Sequence, residues 1–226
     1  MVIIINSPII IINYKTYSES VGKKGLNIAK ACEKISEESG ISIGVAPQYL
    51  DLKTVKDNVN IPVYAQHFDA VGAGSNTGYV FAETIADCGL NGSLLNHSEK
   101  RMVLADLEEA INLANKYNFE SVVCTNNIGV SKAVAVMNPT MLAIEPPELI
   151  GSGIPVSKAN PEIVENTVNE VRKLNKTVNI LCGAGISKGE DVSAAMELGA
   201  DGVLLASGVV KAKNVEESIR ELLRNI

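Results

Sequence analysis

Lysine, histidine and glutamate stand in this chain directly after short apolar runs, where a strand hands over to a loop. Ile9–Ile12 is followed by Asn13 and Lys15, Ser93–Leu95 by Asn96, His97, Ser98 and Glu99, and Met141–Ile144 by Glu145. Two further runs, Val178–Cys182 and Gly202–Ala206, lead into Gly183-Ala-Gly185 and Ser207-Gly208. Ammonium, imidazole and carboxylate are the groups that move protons and stabilise negative charge. Small-residue turns let backbone amides approach an anion closely. In an α/β barrel, functional groups sit at the C-terminal ends of strands, so a cation, an imidazole, a carboxylate and two small-residue turns would converge on one rim.

The elements that must position these residues are legible from periodicity. Apolar runs at Ile9–Ile12, Ile41–Ala46, Pro62–Ala65, Ser93–Leu95, Ser121–Cys124, Met141–Ile144, Val178–Cys182 and Gly202–Ala206 give eight candidate strands. Several are β-branched at successive positions, as expected of strands covered on both faces. Helical stripes separate most of them: Ile28, Ala31, Cys32 and Ile35; Val103, Leu107, Ala110, Ile111 and Ala114; Val164, Val168 and Val171; and Val215, Ile219, Leu222 and Leu223. Asn160-Pro161 reads as an N-cap and first-turn pair, and Ser187 with Glu190 as a capping box ahead of Val192, Ala195 and Met196. The second stripe places a helix over Lys100–Tyr117, with His97 near its positive end. Strands alternating with helices suit a closed (β/α)8 barrel or an open doubly wound sheet. No Pro/Ser-rich linker divides the 226 residues, so one domain spanning 1–226 is expected.

Composition removes several alternatives. With 20 Lys plus Arg against 26 Asp plus Glu the net charge is −6, which argues against a dedicated nucleic-acid binder. The four cysteines, Cys32, Cys88, Cys124 and Cys182, form no CxxC pair and read as reduced thiols in a cytosolic protein. Two histidines, His67 and His97, are too few for a three-His metal centre in one chain. The apolar segment ahead of Asn6-Ser7-Pro8 is too short to span a bilayer and lacks the basic flank of a signal peptide, so a cytoplasmic protein without membrane attachment is expected. In Gly72-Ala-Gly74 with Gly78, and in Gly183-Ala-Gly185 with Gly189, the third glycine falls one position too late for GxGxxG. Neither GxxxxGK[ST] nor HExxH occurs. No cofactor and no metal are expected.

Taken together, Asn13-x-Lys15, Asn96-His97-Ser-Glu99-Lys-Arg101, Ala-Ile-Glu145-Pro, Gly151-Ser-Gly153, Gly183-Ala-Gly185 and Ala206-Ser207 resemble the triosephosphate isomerase family, in order and over the whole chain. The short helical layer and the Pro-Pro-Glu-Leu-Ile-Gly-Ser-Gly segment resemble its compact archaeal branch. The resemblance implies a single (β/α)8 TIM barrel, eight parallel strands with a reduced outer helical layer. It also implies interconversion of dihydroxyacetone phosphate and glyceraldehyde 3-phosphate through an enediolate, as in glycolysis and gluconeogenesis.

On this resemblance Glu145 is the base, His97 a neutral electrophile kept so by the helix that follows, and Lys15 the fixed cation, with Asn13 positioning it. Gly185, Ala206 and Ser207 would give amides to the phosphate. The stretch from Pro146 to about Pro155 would be a lid whose Ile150 or Gly151 amide reaches the same group. Glu99 would tune Lys15 and Glu145. Gln66 and Ala73–Tyr79 resemble the loop through which subunits of the family meet, so a homo-oligomer, a tetramer rather than a dimer, is expected. His67 is expected to be structural or interfacial. Two other readings stay open: a different phosphosugar barrel such as a Schiff-base lyase, and a barrel that binds a phosphate ligand without turnover.

Overall fold

The computed structural model describes residues 8–146 and 159–226. Eight strands, β1 (Ile9–Asn13), β2 (Ser42–Ala46), β3 (Tyr64–Ala65), β4 (Gly92–Leu95), β5 (Glu120–Thr125), β6 (Met141–Ile144), β7 (Asn179–Gly183) and β8 (Gly202–Leu205), are joined in the order β2-β1-β8-β7-β6-β5-β4-β3. Every pairing is parallel. The gap between β2 and β3 is closed by one bridge, Val45 to Val63, with the Val45 amide donating to the Pro62 carbonyl at 3.0 Å. Pro62 has no amide to return, which is why the run Pro62–Ala65 makes only a two-residue strand. The fold is therefore the (β/α)8 barrel.

Strand alternation sorts the core into two layers. Ile9, Ile11, Leu94, Val122, Met141, Ala143, Leu181 and Leu204 form one buried cluster inside the barrel. Ile10, Ile12, Ile43, Val45, Val123, Leu142, Ile180 and Val203 face outward and pack on helices. Each fully buried aliphatic side chain contributes about 1.5–3 kcal/mol. The same period of two carries Asn13 and Glu145 inward, one step above Ile11 and Ala143, onto the C-terminal rim.

Among the described residues the helices are α1 (Lys23–Ser39), α2 (Leu52–Lys56), α3 (Ala82–Asp87), α4 (Leu104–Tyr117), α5 (Ile128–Ala135), α6 (Pro161–Leu174), α7 (Gly189–Glu197), α8 (Ser207–Val210) and α9 (Val215–Leu222). Ile28, Cys32 and Ile35 of α1, Leu107, Ala110, Ile111 and Ala114 of α4, and Val164, Val168 and Val171 of α6 are buried as their stripes require. None of these helices is long and apolar enough to cross a membrane.

Local expectations are corrected in three places. Helix α4 starts at Leu104 rather than Lys100, because segment 96–102 spends its hydrogen bonds elsewhere: Asn96 Oδ1 accepts from the Met102 amide at 3.0 Å and Arg101 donates to the Asn96 carbonyl at 2.8 Å. Side-chain bonds of this kind compete with helix. Val103 is left extended and 65% exposed, off the buried stripe. In the turn before α7 the acceptor is Asp191, not Glu190: its Oδ2 takes the amides of Ser187 at 3.0 Å and Lys188 at 3.1 Å. Asn160 precedes α6 without a side-chain cap bond, while Pro161 fills the first turn.

Candidate active site

Residue Lys15 sits in the left-handed region, φ 48°, a conformation that costs a non-glycine residue about 1–2 kcal/mol. Bonds on both sides hold it there. Its amide donates to Asn13 Oδ1 at 2.9 Å, and its carbonyl accepts from Gln66 Nε2 at 2.9 Å. Gln66 also donates to the Ala46 carbonyl at 3.0 Å, so β2 and the end of β3 brace the loop after β1. The Lys15 side chain is only 13% exposed, and its ammonium meets Glu99 Oε1 at 2.9 Å.

Buried His97 follows β4 in a turn closed by the Lys100 amide on its carbonyl at 2.8 Å. The helix expected to start beside it begins seven positions on, at Leu104. A local bond orients the ring: the Glu99 amide donates to His97 Nδ1 at 3.2 Å. An Nδ1 that accepts a hydrogen bond leaves the ring proton on Nε2. That Nε2 faces Glu145 Oε1 at 3.4 Å. Glu99 Oε2 lies 3.6 Å from Nδ1. Glu99 thus touches Lys15 and His97, while the side chain beside Glu145 is the imidazole.

Glu145 is the first residue beyond β6, its amide bonded to the Thr125 carbonyl at 2.7 Å and its side chain buried. Among the described residues its Oε2 has no hydrogen-bond partner, and neither has the buried Ser98 Oγ. Two features around it carry no signal in single-residue reading. Gly183 ends β7 under the carboxylate, and a Cβ there would stand 2.6 Å from Glu145 Cγ. Cys124 of β5 is buried against it; burial raises the thiol well above its usual range and the Glu145 charge adds to this.

Opposite these groups the backbone turns inward. Ala184 (φ 85°) and Gly185 (φ 74°) are both left-handed. α8 opens at Ser207, and its first amides have no partner within the helix. Gly208 fits closely under the loop after β7, where a Cβ would lie 3.3 Å from the Ile186 carbonyl oxygen. Asn13, Lys15, Tyr17, His97, Glu145, Gly185, Ala206 and Ser207 line one cleft of about 230 Å³. The structure therefore brings together every described residue of the expected set; Ile150 and Gly151, with most of the expected lid, lie outside the described residues. Among the described residues no cluster of His, Cys, Asp and Glu could hold a metal ion.

His67 lies away from these groups. Its Nε2 faces Asp69 Oδ1 at 3.2 Å, its Nδ1 is buried without a partner among the described residues, and burial lowers its pKa, with Asp69 opposing and Lys100 adding. Asp69 pairs with Val80 in both directions, at 2.6 Å and 2.8 Å, and so ties the two ends of the loop that contains Ala73–Tyr79.

A parallel barrel whose C-terminal rim gathers acid–base side chains opposite an amide-lined turn is the architecture of phosphosugar-handling (β/α)8 enzymes. The sequence pattern described as "Triosephosphate isomerase" matches residues 8–222. Proteins named triosephosphate isomerase from Methanocaldococcus jannaschii and Methanobrevibacter smithii are similar over nearly the full length. The first is 66% identical over 218 residues, 96% of this chain and all of that protein. The second is 53% identical over 221 residues, 98% of this chain and all of that protein. A third, from Methanothermus fervidus, is 56% identical over 216 residues, 96% of this chain and 97% of that protein. The chain belongs to the triosephosphate isomerase family.

Proposed function

We propose that this chain, one catalytic domain over residues 1–226, interconverts dihydroxyacetone phosphate and D-glyceraldehyde 3-phosphate in glycolysis and gluconeogenesis, with Glu145, His97 and Lys15 as its catalytic residues. The observation that carries the assignment is the 3.4 Å approach of Glu145 Oε1 to His97 Nε2 inside the cleft that Lys15 also enters. Glu145 takes a proton from C1 of the ketose, and the C–H electron pair forms the C1–C2 double bond while the carbonyl oxygen becomes the enediolate oxygen. The His97 Nε2–H donates to that oxygen. Returning the proton to C2 from the same carboxylate, with a hydroxyl proton passed between the two oxygens, gives the aldose. No atom is gained or lost.

The Lys15 ammonium faces both the phosphate and the growing enediolate charge, so it favours the transition state over the ground state. Asn13 Oδ1 fixes its backbone. Gly185, Ala206 and Ser207 offer amides to the phosphate at strands seven and eight. A coupled assay for glyceraldehyde 3-phosphate formed from dihydroxyacetone phosphate, without metal or nucleotide, tests the reaction. Borohydride trapping with substrate tests the Schiff-base alternative, and a covalent adduct on Lys15 would overturn its role as a fixed cation.

The expected assembly is a homo-oligomer, with a tetramer favoured. The resemblance of Gln66 and Ala73–Tyr79 to the loop through which subunits of the family meet supports association, and Tyr79 within it is exposed. The free thiols of Cys32, Cys88 and Cys124 support a reducing, cytoplasmic setting.

A further inference from the structure

One wall of the cleft is an aromatic ring that the proton transfers do not use. Tyr17 follows Lys15 by two residues and lines the same cleft. The ammonium of Lys211 stands over its ring, 4.2 Å from the centroid. Lys211 terminates α8, its amide donating to the Ser207 carbonyl at 3.1 Å. The Tyr17 carbonyl takes the Ser20 amide at 3.1 Å and the Ser20 hydroxyl at 2.9 Å, so the ring stands on a braced turn.

This contact spans a place where the barrel itself gives no support. The ladder between β1 and β8 ends at Ile12 opposite Leu205. Above that pair the two chains separate into the loops that carry Lys15 and Ser207. A phosphate bound by both needs them at a fixed spacing, and Lys15 stands in a backbone conformation that its own preferences do not maintain. A cation over an aromatic face is a short-range tie between the two loops.

We propose that Tyr17 is a positioning residue for the phosphate end of the substrate: clamped by Lys211, it holds the Lys15 ammonium and the Ser207–Gly208 amides in register on one phosphate. This rests on reading the cleft as a triose phosphate site, and it adds Tyr17 and Lys211 to that site's function.

The test compares Tyr17→Leu, Tyr17→Phe, Lys211→Met and the Tyr17→Leu/Lys211→Met double variant in three measurements. These are kcat and KM with glyceraldehyde 3-phosphate, kcat/KM with unphosphorylated D-glyceraldehyde, and the dissociation constant of inorganic phosphate. Tyr17→Leu and Lys211→Met should each raise KM and the phosphate dissociation constant about three- to tenfold. The D-glyceraldehyde reaction, which uses the Lys15 ammonium but has no phosphate to hold, should fall less than the triose phosphate reaction in both variants. The double variant should be no worse than either single one, as a shared contact requires. Tyr17→Phe keeps the ring and should restore wild-type values.

Equal losses on both substrates would mean a merely structural ring and overturn the proposal. So would a salt-sensitive loss in Lys211→Met without one in Tyr17→Leu, which would make Lys211 a steering charge. Wild-type values in both single variants would overturn it as well. Phosphate binding is read without turnover, so a wild-type chain inactive on triose phosphates would refute the reaction while that measurement still decided the clamp.

Discussion

At the scale of single residues, the site works by holding ordinary groups in unusual company. Glu145 is buried beside an imidazole whose other nitrogen already accepts a backbone amide, so a proton-accepting oxygen and a proton-donating nitrogen face one another across the cleft. Replacing Glu145 by Gln removes the base and little volume. Turnover should fall by about 10²–10⁴-fold while inorganic phosphate binds as before. Near-native kcat in that variant would remove Glu145 from the mechanism.

Gly183 provides a gentler probe. Its missing Cβ is what lets the carboxylate lie where it does, since an added methyl would sit 2.6 Å from Glu145 Cγ. Gly183→Ala should displace the carboxylate and lower kcat by about 10²-fold, with KM and thermal stability little changed, because misplacement of a reacting group by about 1 Å has that effect. Steady-state kinetics alongside a melting curve separates this from unfolding.

Elements matter mostly through where they begin and end. Asn96, at φ 55°, directs three bonds at once: its amide nitrogen donates to the Cys124 carbonyl at 2.9 Å, its Oδ1 accepts from Met102, and its carbonyl accepts from Arg101. Those bonds delay α4 to Leu104 and create the turn on which His97 is mounted. Asn96→Ala should destabilise the fold by about 2–3 kcal/mol, since it strands buried partners and puts a less tolerant residue in the left-handed region. Chemical denaturation gives that figure. The same variant should lower kcat, because the turn that aims His97 would be free to wind into the helix.

On the scale of the whole molecule, a half-buried carboxyl and a buried imidazole give the barrel opposite pH responses. Glu120 enters β5 at the N-terminal end of the barrel and accepts from the Tyr64 hydroxyl at 2.7 Å. Burial raises its pKa, and the bond from Tyr64 only partly offsets this. A raised carboxyl contributes fully below its unfolded value, and that contribution is lost as pH rises through the folded value. Glu120→Gln, which can still accept from Tyr64, should therefore be more stable than the wild type at neutral pH and equal to it in acid.

His67 responds the other way. Its pKa is lowered, chiefly by burial, so its contribution is complete above the unfolded value near 6.5 and disappears as pH falls through the folded one. His67→Gln should flatten the loss of stability below neutrality. Melting temperatures across pH 4–8, by about half-unit steps, would check both signs.

The chain's own residues already specified strands alternating with helices, and the family resemblance chose the closed barrel over an open doubly wound sheet. β-branched runs without a polar face demand cover on both sides, and alternating helices supply it, so eight candidate strands follow from local pattern. The chemical groups were equally legible, since Asn13, Lys15, His97 and Glu145 each stand directly after an apolar run. Tertiary structure decided what those residues face: that the Glu99 amide donates to His97 Nδ1, that Gly183 makes room for Glu145, and that Lys211 covers Tyr17. Each of these contacts depends on the distance between neighbouring rim loops or on a turn competing with a helix. Such distances are fixed by closure of the barrel and by side-chain bonds to the backbone, neither of which leaves a period in the sequence.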